Sequence, residues 1–185
     1  MASEVFTALL KALTVLTSLR IPHAVFGGMA MQLWGRVRST LDADVLVDAS
    51  NIDVEQLVGA LRAAGCAHQD RIDRVVLADA LLLRFHHPVG AFGLSITIDI
   101  VLARAELLQQ ALRRRIERQG QGTQIPVVTC EDLILLKLKV GRPIDRADVA
   151  DLWTNWKETL DQAYLEQWAD RAGLLEELRA LQRGP

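Results

Sequence analysis

The sequence predicts an α+β fold: a small mixed β-sheet flanked by helices, with a C-terminal helical segment. Three stretches carry that prediction. Residues 26–47, FGGMAMQLWGRVRSTLDADVLV, place a glycine pair and a short helical run before an apolar segment headed by Asp42 and Asp44. Residues 80–102 hold two apolar, partly alternating runs separated by HHPVGAFG, the pattern of an antiparallel hairpin. From residue 129 onward the apolar spacing is helical.

Composition bounds what such a fold does. With 185 residues, half of them hydrophobic, the chain buries a full core as one domain. The natural division is an α/β core over residues 1–128 and a helical segment over 129–185 packed on it. A net charge of -2 gives no global attraction to nucleic acid. Cys66 and Cys130 lack the close spacing of a zinc site and read as buried, reduced thiols of a cytoplasmic protein. Glu4 and Lys11 interrupt the apolar N-terminal run, which argues against a signal peptide, and no stretch is apolar enough to cross a membrane.

In chain order, Val5, Leu9, Leu13 and Leu16 recur at helical spacing and predict an amphipathic first helix that Pro22 ends. Residues 24–26 read as a strand, 29–34 as a helix stopped by Gly35, and 43–48 as a second strand. A helix through Val54, Leu57, Val58 and Leu61 closes at Gly65, and strand signals resume over 75–77. Between the arms of the hairpin, His86 and His87 are ordinary strand residues facing opposite ways. Residues 104–118 read as one helix with arginines clustered near its end, a cluster that complements the helix dipole or, less favourably, meets RNA. Pro126 marks residues 125–128 as an edge strand. Thr129 and Asp132 form a helix start, and Gly141 with Pro143 ends that helix and begins the next.

The chemistry-bearing residues fall in three of these elements. Gly27 and Gly28 allow a sharp turn into a helix whose free N–H groups face the turn, a candidate phosphate cradle. Arg36, Arg38 and Thr40 occupy the following turn, where an arginine fork suits a phosphate. Asp42 and Asp44 stand two apart, so in a strand both carboxylates project from one face. Asp99 is a lone carboxylate among Ile96, Ile98 and Ile100, expensive unless it is exposed or held by a partner such as a metal ion. The helix LILLKLKV is apolar on nearly every face, so the Lys137 ammonium must snorkel out or meet an anion. Asp145, Asp148 and Asp151 share a face of the next helix; they complement its dipole or turn toward Lys137 and a nucleotide.

The order of Gly-Gly, helix, R-S-T-L-D-A-D and a later lone Asp resembles the nucleotidyltransferase superfamily of polymerase-beta-like fold. The segment EDLILLKLKVGRPIDRADVADL resembles the abortive-infection (AbiEii-like) toxin-type branch. The matches touch residues 24–48, 94–102 and 129–152. This resemblance implies a transferase that moves a nucleoside monophosphate from an NTP to an RNA, protein or small-molecule acceptor. It could act within a toxin–antitoxin pair, with a cognate antitoxin or toxin as partner. It implies Asp42, Asp44 and Asp99 as the catalytic carboxylates holding two Mg2+ or Mn2+ ions, with Gly27, Gly28, Arg38, Thr40, Lys137 and Asp148 at the nucleotide. The nucleotide, rather than a structural carboxylate such as Asp148, is then the expected partner of Lys137. Many active members have Gly-Ser at the position of Gly27-Gly28, the serine hydroxyl helping to hold the triphosphate. A binding module on the same scaffold, without turnover, is the alternative.

Overall fold

The computed structural model describes residues 2–36, 40–68, 73–77, 80–90 and 94–183. Its elements in chain order are α1 (Ala2–Ser18), β1 (His23–Phe26), α2 (Gly27–Leu33), β2 (Asp42–Asp48), α3 (Val54–Ala63), β3 (Arg74–Val76), β4 (Ala80–Val89), β5 (Leu94–Ala103), α4 (Glu106–Arg113), β6 (Ile116–Gly120), β7 (Thr123–Val127), α5 (Cys130–Val140), α6 (Pro143–Trp156), α7 (Gln162–Ala172) and α8 (Leu175–Arg183). The strands form one seven-stranded mixed sheet in the order β3-β4-β5-β2-β1-β7-β6. Pairs β2/β5 and β1/β7 are parallel and the others antiparallel. The predicted mixed sheet with flanking helices is the observed architecture.

Alternation along the central strands sorts the two faces. Val25, Val45, Ile100, Leu83, Ile98 and Phe85 line one face, all fully buried. That face is covered by α1, whose Phe6, Leu9, Leu13 and Leu16 point into the core and whose Lys11 Nζ reaches His87 Nε2 at 3.2 Å. The opposite face is built in rows by the strand register. Phe26, Asp44, Asp99 and Arg84 lie side by side across β1, β2, β5 and β4, and the next row outward holds Asp42, Thr97 and His86. An apolar row of Ala24, Leu46, Val101 and Leu82 lies behind them.

Beyond the central strands the elements depart in places from what the sequence predicts. The run 104–118 is not one helix: α4 ends at Arg113 with Arg114 as its cap, and Ile116–Gly120 is β6, paired antiparallel with β7. Pairing with β7 decides the conformation of IERQG, a sequence with little strand preference of its own. Consequently β7 is an inner strand and β6 the edge. Pro126 is tolerated there because pairing of β7 with β1 is confined to Val25 opposite Val127, with Val128 N–H donating to Val25 O at 3.0 Å. The hairpin arm β4 runs to Val89, so His86 and His87 are strand residues as read from sequence and Pro88 lies within the strand as well. The arginine cluster divides: Arg113 and Arg115 are exposed, while Arg114 stacks 3.4 Å from the Tyr164 ring centre and Arg118 lies 4.2 Å from that of Trp34.

Helix α5 is the hub of the C-terminal helices. Thr129 caps it by accepting from Asp132 N–H, and Gly141 closes it in the left-handed conformation at φ 68°. Leu133, Ile134 and Leu135 are fully buried, as an all-round apolar helix requires. The Asp132 carboxylate is itself buried and accepts from Thr129 Oγ1 at 2.7 Å and from the Tyr164 hydroxyl, tying the start of α5 to α7. Among the described residues no helix is long and apolar enough to cross a membrane.

Candidate active site

The site forms where the ends of β1, β2 and β5 meet α2 and α5. Gly27 adopts φ 64°, a conformation glycine reaches without strain, and a Cβ there would fall on the Asp44 carboxylate. Gly28 donates its N–H to Asp44 Oδ2 at 3.4 Å, and a Cβ on Gly28 would stand 2.7 Å from Thr40 Oγ1. The glycine pair is therefore a clearance for two polar groups. Asp44 needs the first and Thr40 the second. The Thr40 hydroxyl in turn donates to Asp42 O at 3.1 Å, fixing the approach to the carboxylate pair.

The strand register brings the three predicted carboxylates to one face: Asp44 lies beside Asp99 on the neighbouring parallel strand, and Asp42 is one row away. Asp42 is exposed and Asp44 partly buried. Burial, followed by the nearby Asp99 charge and then Asp42, pushes the Asp44 carboxyl up to about 6, against the opposing Gly28 N–H and Lys137. Asp99 is differently placed. Arg84 Nε and Nη2 donate to its two oxygens at 2.8 and 2.7 Å, a bidentate pair across β4 and β5. Arg84 was not among the residues singled out from sequence, although its position as a lone charge between Leu83 and Phe85 mirrors that of Asp99 among isoleucines.

A cleft of about 380 Å³ opens beside Asp44 and Gly27. Phe26, Val101 and Ala80 of the sheet form one wall, Leu107 and Leu108 of α4 another, and Leu133, Leu136 and Lys137 of α5 a third. Arg142 and Asp145, at the start of α6, complete the rim. Its size is that of a small-molecule site, apolar with a few convergent charges.

Lys137 lines this cleft, but in the ligand-free chain its partners are carboxylates: Asp148 Oδ2 at 2.6 Å and Asp145 Oδ1 at 3.2 Å. The expectation that only a nucleotide would pair with it is corrected here, because α6 packs on α5 and delivers both aspartates to the ammonium. Asp148 is fully buried between Lys137 and Arg36, so in this geometry it positions Lys137 and does not face the cleft. Arg36, one of the two arginines of the turn, binds Asp148 and, through Nε at 2.7 Å, Asp151. Burial alone would raise Asp145, but Arg142 and Lys137 hold it below the ordinary carboxylate range. Arg38 lies outside the described residues.

An all-oxygen set of carboxylates suits Mg2+ or Mn2+, and the raised Asp44 marks a like-charge cluster that a cation would relieve. Asp44 with Asp42 fits such an ion. Asp99 is already held by a guanidinium, and among the described residues no three acidic, histidine or cysteine side chains converge closely enough to hold a metal.

Comparison with known proteins bears on this arrangement. Residues 5–176 match the model of a family described as nucleotidyltransferase of unknown function (DUF6036). No curated protein matches the chain in sequence. Among solved structures, the antibiotic-resistance factor ANT(2'')-Ia superposes with a TM-score of 0.66 at 16% identity, covering 97% of this chain and 98% of its own. An antigenic nucleotidyltransferase-like protein from Paracoccidioides brasiliensis gives 0.54 at 15% identity, with 96% and 93% covered. The lincosamide antibiotic adenylyltransferase LnuA, in its lincomycin-bound form, gives 0.55 at 16% identity, with 79% and 94% covered.

Proposed function

The chain belongs to the nucleotidyltransferase family DUF6036, and from that premise we propose that it is a metal-dependent enzyme transferring a nucleoside monophosphate from an NTP to an acceptor hydroxyl. The observation that carries this reading is that Asp42, Asp44 and Asp99 share one sheet face, with Asp44 directly beside Asp99, next to a glycine turn and a cleft rimmed by Lys137 and Arg142. Asp44 and Asp42 would hold the divalent ion. When bound, that ion supplies Lewis-acid activation and neutralises the leaving pyrophosphate.

The chain's own residues do the positioning. The Gly27-Gly28 turn makes room for the Asp44 carboxylate and for the Thr40 hydroxyl, which donates to Asp42 O and so holds the approach to the carboxylates beside the proposed phosphate site. Lys137 and Arg142 offset the triphosphate charge from the opposite wall, with Asp148 holding Lys137 in place. The apolar walls of the cleft suit the base and sugar.

The abortive-infection resemblance of α5 and α6 supports a toxin–antitoxin setting, with a cognate antitoxin or toxin as partner and the cytoplasm as location. The acceptor could be an RNA, a protein or a small molecule. The solved relatives named for antibiotic resistance and antibiotic adenylylation favour the last of these. The 1–128 core and 129–185 helical segment are proposed as its two structural units. One observation favours the alternative, a binding module without turnover: Asp99 is engaged by Arg84. Calorimetric titration of the four NTPs, with magnesium and with chelator, tests the main reading. Binding only with metal is the expected result, and equal affinity in chelator would defeat the assignment of the carboxylates.

A further inference from the structure

We propose that the Arg84 guanidinium takes the place of a second cation at the carboxylate cluster, so that the free chain loads one divalent ion, on Asp44 and Asp42, and leaves Asp99 to the arginine. The inference rests on the metal-dependent reading and gives it a stoichiometry that differs from the two ions implied by the family resemblance.

Four observations carry it. First, the Arg84–Asp99 pair is a direct cross-strand neighbour pair in β4/β5, so the register itself puts the fork opposite the carboxylate. The Arg84 backbone is fixed as well, its N–H donating to Asp73 O at 2.7 Å. Second, both Asp99 oxygens accept from the fork, at 2.8 and 2.7 Å, and the Asp99 side chain is only 13% exposed. An ion ligated by Asp99 would have to share that carboxylate with the guanidinium and stand against its positive charge.

Third, the charges balance around a single ion. Three carboxylates against one guanidinium leave two negative charges, which one divalent cation closes. Lys137, Arg142 and Arg36 each have carboxylate partners of their own in Asp145, Asp148 and Asp151 and are not drawn to this cluster. Fourth, among the described residues no three ligand side chains converge, as expected if the third carboxylate is turned to an arginine. The Arg84 side chain is 44% exposed and reaches Asp99 from the solvent side, so replacing it opens no core cavity.

The test is titration of the purified free protein with Mn2+ alone, followed by the electron paramagnetic resonance of unbound Mn2+ and by calorimetry. Wild type should bind one ion, Arg84→Gln two, and Arg84→Lys, which keeps the charge, one. Two ions in wild type, or one in both wild type and Arg84→Gln, would overturn the proposal while leaving the metal-dependent reading intact. No ion in any of the proteins would defeat that reading and the proposal with it. Should Arg84→Gln fail to fold, the double variant Arg84→Gln, Asp99→Asn removes the pair without changing net charge. Retention of one ion there supports the proposal, and loss of the ion shows Asp99 to be a ligand and refutes it.

Discussion

Truncating Lys137 to methionine is the sharpest probe of how the cleft wall is held. The substitution keeps the unbranched stem, and so the packing against α6, while deleting the ammonium between Asp148, fully buried, and Asp145, 2% exposed. Removing one partner of a buried pair costs about 3 to 5 kcal/mol when the remaining charge is left uncompensated. Here each aspartate keeps an arginine, Arg36 on Asp148 and Arg142 on Asp145, so the lower end applies, about 3 kcal/mol. For a chain of this length that corresponds to a melting temperature lower by about 6 to 12 °C. Urea denaturation at neutral pH without ligand measures it. Adding Asp148→Asn should recover part of the loss, because the surviving side chain is then neutral, and a double-mutant cycle should return a coupling of about 1 to 3 kcal/mol. A ligand-free loss below about 1 kcal/mol would refute the ion-pair argument and restore the nucleotide as the lysine's principal partner.

Asp44→Asn should stabilise the metal-free protein at pH 8. The folded chain holds the Asp44 proton up to about 6 against an ordinary 3.8, so ionisation costs stability as pH rises through that window, by about 3 kcal/mol at most. Loss of the Gly28 contact trims the gain, which should vanish below about pH 4; melts at pH 8 and pH 4 that show the same difference, or none, would contradict this. Gly27→Ala forces a side chain into φ 64° and onto the Asp44 carboxylate, so it should cost about 1 to 3 kcal/mol in chemical denaturation and abolish metal-dependent NTP binding.

Much of this site was legible in the sequence because strand alternation is a strict rule. Spacing alone put Asp42 and Asp44 on one face and set Asp99 opposite the isoleucines of its own strand, while only the parallel register of β2 with β5 brings Asp99 beside Asp44. The buried character of α5 was equally plain from its lack of a polar face. Arg84 was missed for want of register: HHPVGAFG looked like a loop of several residues, whereas β4 runs through His86–Val89, and only that longer pairing sets Arg84 opposite Asp99. Asp148 was a candidate partner for Lys137 from sequence, but the choice between it and a nucleotide depends on how α6 turns against α5, a tertiary choice that helical spacing leaves open. For β6 the local signal pointed to helix, and long-range pairing overrode it.

The alternating ions running from Arg142 through Asp145, Lys137 and Asp148 to Arg36 and Asp151 have a dynamic consequence. The buried members, Lys137, Asp145 and Asp148, cannot be parted singly without stranding one of them, and Arg36 ties Asp148 to the chain just beyond α2, so that segment, the start of α6 and the last turn of α5 should open together or not at all. Hydrogen exchange in those three segments would then report one shared opening free energy. Any ligand that draws Lys137 toward the cleft would reset protection factors on the far side of α6, at residues it never touches.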